Sequence, residues 1–162
     1  MALSRTRTQV FNTLNQLSQS IGAAGGPNVT TSYGYDNNGN QTTVNAPLGR
    51  NSTQTYDELN RLGSVLDPES GLTQYGYDAL DQLISVTDPR GLVTSYAYNG
   101  LGDLAQQVSP DTGTTTNTYD SGGNLKTSTD ARNAITTYTY DAIDRVKTAA
   151  FKIGNTTDQT IT

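Results

Sequence analysis

Aspartate is the residue type in this chain whose recurrence suggests chemistry. Asp57, Asp78, Asp120 and Asp141 recur in one setting, while Asp67, Asp88 and Asp130 recur in another. Paired carboxylates can carry out acid–base catalysis. The chain has no His and no Cys, which removes the commonest general base and any Cys-based metal site. Because these aspartates all fall where a turn favours Asp or Asn, we interpret them as structural and expect no enzymatic activity.

A calcium loop is the next candidate site. The segment 36–40, Asp-Asn-Asn-Gly-Asn, resembles the start of such a loop. The EF-hand pattern requires Gly at its sixth position and Glu at its twelfth. Here Gly39 is fourth, and the sixth and twelfth positions are Gln41 and Pro47. The sequence therefore predicts no metal site, and no cofactor is expected.

The ten tyrosines could form an adhesive or sugar-binding aromatic surface. The other interpretation is a ladder of aromatic side chains across strands, in which each pair contributes roughly 0.2–1 kcal/mol. Their regular spacing favours the ladder. The residues that anchor a 21-residue period are Tyr35, Tyr56, Tyr77, Tyr98, Tyr119 and Tyr140.

The period extends beyond these six anchors. Phe11 is a seventh anchor, 24 residues before Tyr35, and Ile161 follows Tyr140 by 21 residues. The three additional residues are expected within the Gly-rich stretch 22–27. Such self-similarity is the signature of a repeat protein.

Each anchor ends a predicted strand. From Tyr35 onward, Ser or Thr lies four residues before each anchor and a second Tyr often lies two residues before it, as in Thr73, Tyr75 and Tyr77. This alternation with period two predicts a strand with one aromatic face and one small, polar face.

A first turn follows each anchor. The next residue is always Asp or Asn, and three positions further on comes Gly, Asn or Asp, residue types that tolerate a left-handed backbone. The pattern predicts a short hairpin loop on a type I turn that ends in a left-handed residue. The residues assigned to this turn are Asp36, Gly39, Asp57, Asn60, Asp78, Asp81, Gly102, Asp120, Gly123 and Asp141.

A second turn closes each unit. A returning strand such as 83–86 comes first, and then Pro with Gly behind it, as in 67–71 and 88–91. Pro and Gly in this order are typical of a tight turn. Each unit is therefore a hairpin with a link to the next hairpin.

Seven such units predict an all-β protein of about 14 strands. We expect antiparallel β-hairpin repeats that form a curled or spiralling sheet, because open twisted sheets of more than about 10 strands curl. A parallel β-helix is disfavoured by the tight reversals. Residues 1–162 are predicted to form a single domain, with a first repeat at 9–32 that holds the three-residue insertion and regular repeats over 33–162.

The beginning of the chain is ambiguous. Val10, Leu14, Leu17 and Ile21 have helical spacing, whereas the repeat makes the same stretch a hairpin. We favour the hairpin, with a short capping helix as the alternative.

The sequence argues against nucleic-acid binding, a membrane-spanning segment and a signal peptide in its first residues. The net charge is −5, which argues against nucleic acid, because phosphate binding needs clustered Lys and Arg. No apolar run approaches the roughly 20 residues that span a membrane. The stretch 1–8 has no signal-peptide core.

The repeat resembles the YD repeat of the RHS family. The resemblance rests on Tyr-x-Tyr-Asp, Asp-Pro-x-Gly and the following Thr, best seen from Tyr75 through Asp88-Pro89-Arg90-Gly91 to Tyr98, and it covers residues 9–162. It implies relatives among bacterial Rhs toxins, the C component of insecticidal toxin complexes, and teneurins. In these proteins the repeats wrap into a hollow shell, which in bacterial members encloses a C-terminal toxin.

The family's self-cleaving segment is not found in this chain. Asp67-Pro68 and Asp88-Pro89 fall on second turns, so neither self-cleavage nor encapsulation is carried over to the chain by itself. We expect a piece of shell wall, as a fragment or as a short gene product, secreted or on a bacterial surface. Its partners would be other YD repeats or further copies bound through exposed strand edges, and a toxin domain in a longer protein. The alternative function is an adhesive subunit that polymerises edge to edge.

Overall fold

The computed structural model describes residues 7–22, 29–154 and 156–161. These residues form β-strands joined by short turns, with a single 3-10 turn at Pro47–Gly49 and no α-helix in the described part of the chain. All printed strand pairs are antiparallel, and the hydrogen-bonded order of the strands follows the order of the chain. The all-β antiparallel class is therefore confirmed, while the curl of the sheet stays a prediction.

Fifteen strands lie in the described residues, one more than seven hairpins contain, because the last strand begins a further unit. They are β1 Arg7–Phe11, β2 Leu17–Gly22, β3 Val29–Tyr35, β4 Gln41–Asn45, β5 Asn51–Tyr56, β6 Leu62–Leu66, β7 Leu72–Tyr77, β8 Leu83–Thr87, β9 Val93–Tyr98, β10 Leu104–Ser109, β11 Gly113–Tyr119, β12 Leu125–Thr129, β13 Ala134–Tyr140, β14 Val146–Ile153 and β15 Thr156–Ile161.

The hairpin predicted near the start of the chain is confirmed. Strands β1 and β2 pair with Arg7 opposite Gly22 and Phe11 opposite Leu17. The helical spacing of Val10 and Leu14 is therefore misleading, because Leu14 lies in the loop and Val10 in a strand. The predicted insertion at 22–27 falls mainly on residues 23–28, which lie outside the described residues.

The chain divides into two compact units. The first runs up to Tyr75 and includes Asp88–Arg90, and the second comprises Gly76–Thr87 and the residues from Gly91 onward. Within the first unit the pairs run from β1–β2 to β6–β7, and within the second from β8–β9 to β14–β15. The assignment of residues 1–162 to one domain stays a prediction.

A register shift inside each described hairpin decides which side chains share a face. In β5–β6, Tyr56 lies opposite Leu62 and Gln54 opposite Val65, so Gly63 is an additional, bulged residue. Directly opposed residues share a face, and Leu62 and Val65 therefore both lie beside the tyrosine although they are three residues apart. The corresponding pairs and bulged residues recur in β1–β2, β3–β4, β9–β10, β11–β12 and β13–β14.

The face opposite the tyrosines carries paired hydroxyls. Thr55 and Ser64 are hydrogen-bonded at 2.7 Å across β5 and β6. Thr118 and Thr127 meet in the same way at 2.6 Å, as do Thr139 and Thr148. Gly34 occupies the position in β3 that Thr55 occupies in β5, and it lies opposite Thr43. Because Gly34 has no Cβ, the Thr43 hydroxyl has room beside it.

Burial within the described residues is slight. Ala134, which is 2 % exposed, and Ser20, which is 4 % exposed, are the buried residues there. The tyrosines are partly exposed. Within each unit, neighbouring hairpins therefore stabilise one another mainly through backbone and tyrosine contacts and not through a buried apolar core.

Candidate functional site

The first-turn aspartates bind their own loops. The Asp57 Oδ1 atom accepts hydrogen bonds from the backbone N–H groups of Leu59 and Arg61, both at 2.9 Å. The Asp57 N–H donates to the Arg61 carbonyl at 3.0 Å, and the Asn60 N–H donates to the Asp57 carbonyl at 3.0 Å. The same pair of side-chain bonds is formed by Asn12, Asp36, Asp78, Asn99, Asp120 and Asp141.

The residue four positions after this aspartate completes the loop. The Arg61 Nε donates to the second carboxylate oxygen of Asp57 at 2.8 Å. In another loop the roles are reversed, and Asn99 Nδ2 donates to Asp103 Oδ2 at 2.9 Å. Sequence reasoning missed this partner. Its signal was the recurrence of Asn, Gln, Arg or Asp four residues after the turn Asp or Asn.

These hydrogen bonds lower the pKa values of several carboxyl groups below the usual 3.8. The backbone N–H of Arg61 is the largest cause for Asp57, and the side chain of Asn40 is the largest cause for Asp36. The pKa values of Asp120 and Asp141 are lowered first by backbone N–H groups of Asn124 and Arg145. A carboxylate held ionised in this way has no proton to donate near neutral pH.

The loops end in a left-handed residue. Gly39 has φ 90°, Gly102 has φ 88° and Gly123 has φ 84°. The non-glycine residues in this slot have φ between 57° and 63°, and they are Asn15, Asn60, Asp81 and Asp144. Asn and Asp are the side chains that adopt this conformation most readily after Gly.

The second turn 67–71 uses the same geometry. The Asp67 Oδ1 accepts from the N–H groups of Glu69 at 2.8 Å and Gly71 at 2.7 Å. The left-handed residue is Ser70, with φ 67°, and not Gly71. Gly71 is required for space instead, since an added Cβ would lie 2.6 Å from Asp67 Oδ2. Asp130 forms an equivalent turn with Asn133 left-handed.

The anchor tyrosines link each hairpin to the preceding one. The Tyr56 hydroxyl donates to the Gln41 carbonyl at 3.1 Å, where Gln41 opens the returning strand of the preceding hairpin. Four other anchors donate to the corresponding carbonyl at 2.8–3.0 Å, namely Tyr35 to Leu17, Tyr98 to Leu83, Tyr119 to Leu104 and Tyr140 to Leu125. Tyr77 ends β7 in the equivalent position of the strand.

Three polar residues replace the second tyrosine, namely Gln9, Gln54 and Asn117. Asn117 donates through Nδ2 to the Leu104 carbonyl at 3.0 Å and so shares the acceptor of Tyr119. Gln54 has a buried Oε1 atom with no hydrogen-bond partner. Gln54 is therefore an imperfect substitute for tyrosine in this slot.

The described residues contain no cluster of His, Cys, Asp or Glu that could hold a metal ion. At the segment 36–40, both carboxylate oxygens of Asp36 are bound by N–H groups of Asn38 and Asn40. The paired carboxylates considered from the sequence are likewise engaged in their own turns. The described helices include none long and apolar enough to cross a membrane.

Family comparison identifies the repeat. The RHS Repeat model matches residues 35–71, 77–114 and 119–150, which together make up more than half of the chain. The chain belongs to the RHS repeat family. The comparison with curated protein sequences found no match.

Two solved structures are similar in fold. They are the crystal structures of TcdB2-TccC3-Cdc42 and of TcdB2-TccC3, each with a TM-score of 0.80 at 15% sequence identity. Each alignment covers 98% of this chain and 10% of the chain that it matches. The chain is thus comparable in fold to a tenth of those proteins, and it is a structural repeat module.

Proposed function

We propose that the chain is a non-enzymatic segment of shell wall in a secreted or surface-exposed bacterial Rhs-type protein. The observation that carries this proposal is the tyrosine bond from five of the hairpins to the preceding one, as from Tyr98 to the Leu83 carbonyl. A hairpin that is fixed by its neighbour can be added repeatedly, so the wall grows without needing a core of its own. The fold similarity to TcdB2-TccC3 supports this role.

The residues of this role are the repeat anchors and the turn residues. The anchors Tyr35, Tyr56, Tyr98, Tyr119 and Tyr140 bond to the preceding hairpin, and residues such as Asp36 and Gly39 shape the loops. Their side chains are hydrogen-bonded within the loops or to the preceding hairpin, which supports a structural role. We assign them structural roles and no catalytic one.

Protease protection in a longer gene product that contains this chain tests the wall role. A segment downstream of the repeats should resist protease in the native protein and become cleavable at the urea concentration where the repeats unfold. Equal cleavage before and after unfolding would overturn enclosure. A linker placed outside the repeats, with the same cleavage sites, is the control for protease activity.

A second candidate function is edge-to-edge polymerisation. Strands β1 and β15 are the terminal strands of the described order, and each has one hydrogen-bonded neighbour. Unpaired strand edges are templates for another copy. Filaments under the electron microscope would support this function, and a discrete monomer by light scattering at micromolar concentration would rule it out.

A further inference from the structure

Side chains of neighbouring first-turn loops are hydrogen-bonded to one another. Each loop has five residues, counted from the Asp or Asn that follows the anchor, so the fourth and fifth residues of the loop 36–40 are Gly39 and Asn40. The Asn40 Nδ2 atom donates to Asp36 Oδ2 in its own loop at 2.9 Å and to Asn60 Oδ1 in the next loop at 2.7 Å. A side-chain amide has two N–H donors, and here one serves each loop. The fifth residue of one loop is thus bonded to the fourth residue of the next.

The same link recurs in the second compact unit. Asn124 Nδ2 donates to Asp120 Oδ2 in its own loop at 3.3 Å and to Asp144 Oδ1 in the following loop at 2.9 Å. Asn60 and Asp144 both occupy the left-handed fourth position, with φ of 62° and 57°. Loops of different sequence therefore form one arrangement, in which an amide donor on the earlier loop meets an oxygen acceptor on the later loop.

The amide keeps this place in two loop pairs where the next loop has glycine in its fourth position. A Cβ added to Gly39 would lie 3.3 Å from Gln16 Nε2, and one added to Gly102 would lie 3.2 Å from Gln82 Nε2. Gln16 and Gln82 are the fifth residues of the preceding loops. The fifth side chain therefore lies beside the fourth residue of the next loop whether or not that residue has a side chain.

Asp103 differs from the other fifth residues in charge. Among the fifth residues of the seven loops it alone is acidic, and the loop that follows it has Gly123 in the fourth position. Burial raises the pKa of the Tyr119 hydroxyl, and the Asp103 carboxylate raises it further. Because Tyr119 directly precedes the loop 120–124, the Asp103 charge acts on the next hairpin. The space around a Cβ added at Gly123 is open, so no second carboxylate meets Asp103 from this position.

We propose that the fifth loop residue of a repeat determines which repeat can follow it. A fifth residue that donates through an amide is compatible with Asn, Asp or Gly in the fourth position of the next loop. A carboxylate, as in Asp103, is compatible with Gly or with the donor Asn, and it excludes Asp because two like charges would meet. The order of the repeats is thus restricted by their loops. This inference goes beyond the wall role, which requires only that hairpins stack.

The substitutions Gly123→Asp and Gly123→Asn in the full chain test the proposal. The left-handed backbone accepts both residue types, as Asp144 and Asn60 show. Beside Asp103, the equilibrium constant for unfolding in urea should be about threefold larger for Gly123→Asp than for Gly123→Asn, an effect of the size expected for exposed charges. The difference should shrink in about 1 M salt, where interactions are screened beyond about 3 Å.

Replacing the fifth residue should remove this difference. In the Asp103→Asn background an amide donor faces the added carboxylate, so Gly123→Asp should unfold no more readily than Gly123→Asn. The cation Lys126, which interacts with Asp120, favours an added carboxylate in both backgrounds and cannot produce the expected loss. A difference that is the same in both backgrounds would overturn the proposal.

Gly39 provides the matched control. The loops 36–40 and 120–124 both have Asp first, Gly fourth and Asn fifth, but the fifth residue of the loop before Gly39 is Gln16. Gly39→Asp should therefore unfold no more readily than Gly39→Asn. An equal excess for Asp at Gly39 and Gly123 would assign it to the left-handed backbone and refute the proposal, as would no difference at Gly123. None of these results depends on protease protection, so the wall role and this pairing of loops can fail separately.

Discussion

Asn99 and Asp103 form the mirror image of the Asp36–Asn40 pair. Asn99 Nδ2 donates to Asp103 Oδ2 at 2.9 Å, whereas Asp36 accepts from Asn40 Nδ2 at the same distance. Donor and acceptor have exchanged positions, and the loop geometry is unchanged. The chemical requirement of the loop is therefore complementarity between its first and fifth residues.

Exchanging these residues tests that requirement. Asn99→Asp places two carboxylates together and should lower stability, whereas Asn99→Asp combined with Asp103→Asn should restore it. We expect a coupling free energy of about 1 kcal/mol from a double-mutant cycle measured by urea unfolding. Additive effects of the two substitutions would contradict the pairing.

Gly102 tests the left-handed slot. Its φ of 88° should make Gly102→Val unfavourable by about 1–2 kcal/mol, because a side chain in this conformation meets its own backbone. Gly102→Asn is the matched control and should have a smaller effect, since Asn60 occupies the same slot with φ 62°. Thermal unfolding provides the measurement. A Val variant that melts no lower than wild type would disprove the turn assignment.

Tyr98 tests the link between hairpins. Tyr98→Phe removes the bond to the Leu83 carbonyl and should lower the free energy of unfolding by about 1 kcal/mol. Tyr96→Phe is the control, because the structure gives the Tyr96 hydroxyl no partner among the described residues. Equal losses in the two variants, measured by urea unfolding, would show that the hydroxyl contributes nothing specific.

Substitution of Gln54 by tyrosine should stabilise the protein. Its buried Oε1 atom lacks a partner, so Gln54→Tyr should raise the free energy of unfolding by about 1 kcal/mol. Asn117→Tyr should raise the free energy of unfolding by less, because Asn117 already donates to the Leu104 carbonyl. The midpoints of thermal unfolding of both variants decide the comparison, and a destabilised Gln54→Tyr would refute it.

Acid should reduce the contribution of the loop aspartates to the stability of the folded protein. The pKa values of Asp57 and Asp141 are lower in the folded protein than their ordinary 3.8. Their contribution to stability is therefore present above about pH 4 and is lost as the pH falls through the folded-state pKa. Urea unfolding between neutral pH and about pH 2 should show this loss, and it should be smaller in the Asp57→Asn, Asp141→Asn variant. An unchanged acid dependence would contradict the stated role of these carboxylates.

The sequence predicted the parts of the fold that depend on turn chemistry. Asp57 and Asn60 indicate a loop because few residue types suit their backbone positions. The bulge at Gly63 was not predictable, since residues as different as Gly63, Ala105 and Lys126 occupy it. It depends on pairing between strands and not on the type of the bulged residue.

The exposure of Leu80 and Leu101 in the first-turn loops was not predicted either. The sequence shows that these leucines lie in turns, but it does not show which apolar side chains remain exposed after folding. The left-handed position of Ser70 was also unexpected, because the adjacent Gly71 was the obvious residue for it. In each case the deciding factor is the packing of a particular loop.

The bulged residue of each hairpin also has a genetic consequence. A unit of 21 residues is odd in length, yet the bulge and the two turns return the next anchor, as from Tyr119 to Tyr140, to the same side of the sheet. A unit can therefore be duplicated or deleted in full without reversing the side chains downstream.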